Sequence, residues 1–405
     1  MFSIIVDEPG STEQIKSFTL KTNIVMTPNA DHTPQAISWD QLLDSISSAS
    51  SHPDDTQWMI YRYMSQNLAS MDSIMARTLL SAYIKLHRPQ PSALNSCMLV
   101  MAVKVSKAHA DFRFPQFLQA WGYPQCLTEE DKQSQKGKDG KQYLSLHERV
   151  ERARLSYMLH HPEEGWEGCK DIVSMYAVKT FEKLQNGRKC RYVKLVGADG
   201  MSFVADSRQF GCKPWEITGR MYDVLVRQSK QGNGRAEEIV PSAHSVADVF
   251  PVETGYVEGI DDSHGHVHVF DAQSRHFVAG KETLHVRGVE KKCFIRFCPI
   301  IAQGDPFKSA AVVNVLPRDE GRQTFGAYEA MVEYVNEQEG YLRYQLVSSI
   351  KPTPEGTITE DGFASLSLLS EDNRKAVAVG QRVCLTLFLK RGKDGVKRNH
   401  VAEIY

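Results

Sequence analysis

Residues 330–344 read Ala330-Met331-Val332-Glu333-Tyr334-Val335-Asn336-Glu337-Gln338-Glu339-Gly340-Tyr341-Leu342-Arg343-Tyr344. This is a strand, an acidic turn, and a glycine that opens a second strand with bulky groups at alternate positions. Alternation along a strand sends those groups to one face. An earlier stretch has the same plan. Gly255-Tyr256-Val257-Glu258-Gly259-Ile260-Asp261 leads through Asp262-Ser263-His264-Gly265 to His266-Val267-His268-Val269-Phe270, and then to Ser274-Arg275-His276-Phe277-Val278-Ala279. A small β unit has been used more than once.

Working outward, the chain beyond Gly187 is a series of short β-rich runs such as RYVKLVG, MSFVAD, YDVLVRQ, CFIRFCPIIA and VCLTLFLK, separated by Gly, Asp, Asn and Pro. Strands at this spacing predict small sandwiches or barrels. Three modules are expected, over 188–245, 250–318 and 326–405, each long enough for one five-stranded barrel. Upstream the hydrophobic period is helical. Ser38-Trp39-Asp40-Gln41 and Ser145-Leu146-His147-Glu148 are capping boxes, each followed by an apolar stripe. Pro53 opens another helix, Asp72 restarts the pattern, Pro89 and Pro91 stop it, and the run from Ser92 reads as a buried helix. A short helix is expected at 115–121, and a last one over 169–185, ending at Asn186-Gly187. The segment TEEDKQSQKGKDGK over 128–141 contains no apolar residue and reads as a mobile surface loop.

The expected fold class is multidomain α + β. An extended segment over 1–32 precedes an irregular helical bundle over 33–187, and small five-stranded β-barrels follow.

The 405 residues allow two to four domains. Lys and Arg number 48 against 49 Asp and Glu, so a nucleic-acid face has to be a local patch. Asp7 and Glu8 stand where a signal peptide needs a basic start, and no apolar run approaches the ~18 residues of a membrane span. A cytoplasmic protein without a membrane partner is expected. Eight cysteines without a CxxC pair predict reduced thiols.

Tyr334-Val335-Asn336 through Gly340-Tyr341 resembles the first half of the cold-shock domain pattern, Trp-Phe-Asn, a turn, and Lys-Gly-Phe-Gly-Phe-Ile. That family is a five-stranded OB barrel. Here Glu339 stands for the lysine and Arg343 for the second exposed aromatic. His264-Gly265-His266-Val267-His268-Val269 is similar in frame, with imidazoles in place of phenyl rings, and His276-Phe277-Val278-Ala279 echoes the second motif, Val-Phe-Val-His-Phe. The closing ends, Gly380 to Ile404 and Cys293 to Val313, are also similar.

The resemblance implies binding of single-stranded RNA or DNA. Exposed rings stack on splayed bases, each worth about 1–3 kcal/mol, and flanking cations hold phosphates. In the second barrel it implies stacking by His266, His268 and Phe277, with Arg275, Lys281 and Arg296 as phosphate contacts. In the third it implies Tyr334, Tyr341 and Arg343, helped by Lys390, Arg391, Lys393, Lys397 and Arg398.

Local charge bears on this. Between Arg374 and His400 eight basic residues face one acid, Asp394, which reads either as a phosphate contact or as a solvated edge that prevents sheet aggregation. Lys179 to Lys194 holds six basic residues and one acid, Glu182, whereas 321–372 carries three basic and nine acidic residues. His264, His266 and His268 form a stacking face, a solvated row, or part of a metal site; at ~6.6 Å between alternate residues, one tetrahedral ion would need a ligand from a neighbouring strand.

No P-loop, nucleophile elbow, His-Glu-x-x-His or paired-cysteine motif is present, and Gly232-x-Gly234 follows no helix-opening pattern. A non-catalytic binder without metal or cofactor is therefore expected, acting as a chaperone or regulator. Two alternatives are a protein-interaction scaffold, with a partner held by the helical domain, and an accessory subunit of a nucleic-acid-processing or defence complex.

Overall fold

The computed structural model describes residues 3–5, 17–19, 37–49, 52–86, 90–136, 142–164, 169–185, 187–228, 234–261, 263–286, 288–348, 350 and 352–405. Two compact units result, Met1–Gly165 and Trp166–Tyr405.

In the first unit, β1 (Ser3–Ile5) pairs with β2 (Ser17–Thr19), and the rest of the segment over 1–32 lies outside the described residues. The helices are α1 (Trp39–Ser47), α2 (Pro53–Asn67), α3 (Ser73–Leu86), α4 (Ala93–Ala108), α5 (Phe114–Trp121) and α6 (Leu146–His160). Both capping boxes form. Ser38 Oγ accepts from the Gln41 amide at 3.2 Å, and Ser145 Oγ from the Glu148 amide at 3.1 Å. These bonds satisfy donors that a helix start leaves unpaired. Helix α4 is central, burying Met98, Leu99, Met101, Ala102 and Val105, which is why its sequence is apolar on nearly every side. Tyr83 of α3 stacks on Trp121 of α5 at 5.1 Å. Within the loop expected at 128–141, β3 (Gln135–Lys136) pairs with β4 (Gln142–Tyr143) just beyond it, and 137–141 lie outside the described residues. Asp131 organises its start, accepting from Ser96 Oγ at 2.5 Å and from the Thr128 amide at 2.9 Å.

The second unit is three five-stranded modules. The first is β5 (Ile172–Gln185), β6 (Arg188–Gly197), β7 (Ser202–Asp206), β8 (Met221–Gln228) and β9 (Gly234–Pro241). The expected helix over 169–185 is thus strand β5, and the helical unit ends earlier than 187. Ile172, Val173, Met175, Tyr176 and Ala177 form a run that is apolar but for Ser174, whose period cannot separate a buried strand from a buried helix. The β-branched Ile172, Val173, Val178 and Thr180 favour the strand. Gly187, at φ 74°, ends no helix; it belongs to the two-residue connection that pairs Gln185 with Arg188. The Gly232-x-Gly234 stretch lies outside the described residues up to 233.

After a short helix, α7 (Val246–Val249), comes the second module, with β10 (Glu253–Asp261), β11 (His266–Asp271), β12 (His276–Ala279), β13 (Phe294–Ile301) and β14 (Lys308–Leu316). Helix α8 (Arg318–Phe325) leads to the third. Its strands are β15 (Tyr328–Asn336), β16 (Tyr341–Leu346), the small pair β17 (Pro352–Thr353) and β18 (Gly356–Thr357), and β19 (Asp361–Ser365); helix α9 (Glu371–Ala376) precedes β20 (Arg382–Arg391) and β21 (Lys397–Ile404).

All three modules share one strand order. Counting the five main strands of each, it is 3-2-1-4-5. In the second module strands 3 and 5 also join, through a parallel pairing of Val278 with Ser309, and close the barrel. In the first and third modules those strands lie near one another without a ladder, leaving an open seam. Antiparallel strands closed by one parallel pairing form a five-stranded OB-type barrel.

The irregularities repeat as well. One extra residue interrupts the first strand of each module, at Val178, Glu258 and Glu333, and one interrupts the fifth, at Glu237, Val313 and Ala402. A bulge bends and twists its strand, which curls so small a sheet onto itself.

The modules are packed together. Tyr176, Val196 and Met221 of the first join Cys298, Ile300 and Ala311 of the second in one buried cluster. Tyr256, Phe270 and Phe294 of the second join Phe388 and Ala402 of the third, with Leu316 and Phe325. Beside that second cluster Glu403, 2 % exposed, accepts from Arg318 Nε at 2.7 Å and Arg322 Nε at 2.8 Å. A buried carboxylate is stable only with such partners.

Candidate nucleic-acid interface

The shared bulge aligns the three modules residue by residue. Tyr334, the first residue past the bulge of the third barrel, pairs with Arg343, which pairs with Phe363 on β19. Tyr341 pairs with Asn336 on one side and Ser365 on the other. Because alternate residues share a face, Tyr334, Tyr341, Arg343 and Phe363 all lie on the outer side, while Leu342, Tyr344 and Ala364 fill the core. Tyr334 is 50 % exposed and Phe363 62 %. The Tyr334 and Tyr341 rings are 6.3 Å apart, and the Tyr341 and Phe363 rings 5.5 Å. Three rings side by side on an open sheet leave faces for bases to stack against.

Phe363 was not among the expected residues. The signal was present in Asp361-Gly362-Phe363-Ala364-Ser365, where a single large apolar group stands between half-buried Gly362 and buried Ala364. Arg343 sits among the rings but is engaged, with Nε 3.2 Å from Glu333 and Nη2 3.5 Å from Asp361. Glu339, in place of the family's lysine, builds the turn: its amide donates to Asn336 Oδ1 at 3.1 Å and its carboxylate accepts from Asn336 Nδ2 at 3.2 Å.

The equivalent positions of the second barrel are Gly259, His266, His268 and Val278. His266 is exposed and stacks with His264 at 5.8 Å, although His264 belongs to the turn rather than the strand. His264 Nδ1 lies 2.8 Å from Asp261, a carboxylate held well below its ordinary range by hydrogen bonds from Ser263 and then from His264. His268 Nδ1 meets His276 Nε2 at 3.1 Å. The His276 ring is sandwiched between Phe270 at 4.8 Å and His268 at 5.3 Å. Loss of water around it, then the neighbouring His268, push its pKa down. Among the described residues no group of three or more His, Cys, Asp or Glu is placed to hold a metal ion.

Two expected contacts are corrected. Phe277 points into the barrel, 0 % exposed and edge-on to Phe297, because on β12 it is the neighbours at 276 and 278 that face outward. It cannot stack on a base. Arg275, 19 % exposed, is held by Asp271 at 2.5 Å and Glu253 at 2.6 Å, and serves the turn instead of a phosphate. Arg296 is paired with Glu320 at 2.8 Å and half exposed.

The basic hairpin of β20 and β21 is also largely paired. Lys390 binds Glu258 of the second barrel, Lys397 meets Glu355 at 2.7 Å, and Arg398 meets Asp394 at 2.5 Å. Glu355 also takes Lys308 at 2.8 Å, and the Lys308 and Lys397 ammonium groups bring its pKa down to about 2. Lys281, Arg391 and Lys393 are exposed and carry no ion pair among the described residues.

No protein-family model matches this chain, and no curated protein matches it. Among solved structures it is similar to one titled "drosophila Unr CSD456", at 11% identity over 58% of this chain and 96% of that one, with a TM-score of 0.19. At that score the OB-type assignment stands on strand order and bulge positions alone. No helix among the described residues is long and apolar enough to cross a membrane.

Proposed function

We propose that the chain binds single-stranded nucleic acid, RNA before DNA, without catalysis, on the outer face of the third barrel. The observation that carries this reading is the row of three adjacent rings, Tyr334, Tyr341 and Phe363, on one outer face, with Tyr334 and Phe363 exposed. Sheet-borne rings suit unpaired bases, as in single-stranded RNA recognition generally. His266 and His268 hold the equivalent outer positions on the second barrel, and Lys281, Arg391 and Lys393 are exposed cations that could meet phosphates. A protein that holds single strands in this way serves as a chaperone or regulator.

The test is fluorescence anisotropy with a short labelled oligonucleotide. Changing Tyr334 and Phe363 together to alanine should weaken binding by about 2 kcal/mol or more, given ~1–3 kcal/mol per stacked base. Failure of the intact chain to bind any oligonucleotide at low salt would end the reading.

A second reading, a protein-interaction scaffold or accessory subunit, is favoured by the excess of nine acidic over three basic residues in 321–372. Purification with and without nuclease separates the two. A stoichiometric protein partner that survives nuclease supports the scaffold.

A further inference from the structure

The first barrel has no recognisable motif, yet its outer face carries Lys179, Lys183 and Lys194. Strands β5 and β6 pair from Lys179 with Lys194 out to Gln185 with Arg188, and past the end of β7, from Glu182 with Arg191 outward, they continue as a hairpin arm. Lys179, Phe181 and Lys183 alternate along β5 and so share a face. Opposite them on β6 are Lys194, Tyr192 and Cys190. The Phe181 and Tyr192 rings are 6.0 Å apart, and Lys183 Nζ lies 5.4 Å from the Phe181 ring. By the bulge alignment Lys179, Tyr192 and Lys194 occupy the positions of Tyr334, Tyr341 and Arg343.

The arm's one acid is turned away. Glu182 is on the other face, where Arg191 at 2.8 Å and Lys189 at 4.0 Å neutralise it. The second barrel adds a ring to the basic face. Asp305 binds Lys194 and accepts from the Phe307 amide at 2.9 Å, and the Phe307 ring, 62 % exposed, lies 5.2 Å from Lys179 Nζ. The resulting row runs Phe307, Lys179, Phe181, Lys183, alternately ring and cation, with Tyr192 alongside. Rings spaced by cations match bases spaced by phosphates, whereas a solvated edge needs no exposed phenylalanine.

We propose that this row, shared by the first and second barrels, is a separate binding site for a single nucleic-acid strand. It rests on the reading above but on different residues, and the two can fail independently. The test uses the full chain and a labelled oligouridylate of about 12 nucleotides, within the span of one barrel site.

In the chain carrying Tyr334→Ala and Phe363→Ala, residual binding should persist. Adding Phe181→Ala and Tyr192→Ala should reduce it a further ~tenfold or more. Lys179→Glu with Lys183→Glu keeps both rings and should do the same, with a spectrum and melt like the parent chain as the folding control. Residual binding that ignores both sets of changes overturns the arm site, as does complete loss of binding from the third-barrel pair alone, which leaves the first reading intact. Binding that depends on the arm and not on Tyr334 and Phe363 would keep the arm site and overturn the third-barrel face. A parent chain that binds no oligouridylate at low salt ends both.

Discussion

The second and third barrels place different side chains on the same backbone. Their first strands bulge at Glu258 and Glu333, and the cross-strand pair just inside each bulge shows how each core is filled. In the second barrel small Val269 faces large Phe277; in the third large Tyr344 faces Gly362. One bulky group per pair fills the space, supplied from opposite strands. A Cβ on Gly362 would come within 2.5 Å of the Tyr344 hydroxyl, so the glycine there answers to close approach. On the outer side the positions holding Gly259, His266, His268 and Val278 in one barrel hold Tyr334, Tyr341, Arg343 and Phe363 in the other. The fold fixes where side chains stand, and residue identity decides what they can hold.

The comparison breaks most visibly at the core. Phe277→Ala should destabilise the β unit by about 3–5 kcal/mol. Phe363→Ala, one position further along the equivalent strand but outward, should change stability by no more than ~0.5 kcal/mol. Denaturant titration of both variants checks this, and equal effects would mean that the faces are misassigned.

Gly362→Ala should cost about 1–3 kcal/mol through overpacking against Tyr344, read in the same titration. The same substitution at half-buried Gly259, where an added Cβ meets nothing within 4 Å, should be mild by comparison.

A smaller effect separates the barrels by pH. His276 and His400 have lowered pKa values, each chiefly from loss of water, with His268 next for the former and Lys390 for the latter. The unfolded chain therefore takes up these protons first. Stability is full above the ordinary imidazole range near ~6.5, declines as pH falls through it, and levels off below the folded values. Melting temperature should drop between neutral and mildly acid solution, and replacing both histidines by glutamine should reduce that drop. A drop of the same size in the double variant would refute the assignment.

The smallest expected change is in salt response. Arg391→Ala and Lys393→Ala should each lower the salt slope of oligonucleotide binding by about 0.7 if each meets one phosphate. Lys397→Ala should act mainly through its ion pair with Glu355, on stability.

Much of this was legible in the sequence. Capping boxes marked α1 and α6, and the repeated strand-turn-Gly-strand pattern marked β10–β11 and β15–β16, because caps and turns are local chemistry. The strand β5 was not legible, since its buried half is apolar but for Ser174 and an Asn-Gly pair in sequence can be mistaken for a helix end. Phe277 was misplaced because one residue of register inverts a strand's faces. Arg275, Lys390 and Lys397 look free in sequence; their partners Glu253, Glu258 and Glu355 come from another strand, another module and the turn between β17 and β18.

Photo-cross-linking of a 5-iodouridine oligonucleotide to the intact chain, with the modified peptides mapped by mass spectrometry, tests the central claim most directly. Adducts at Tyr334, Tyr341 or Phe363 are the predicted result. Adducts confined to the helical unit, or none at protein concentrations where binding is saturated, would contradict it.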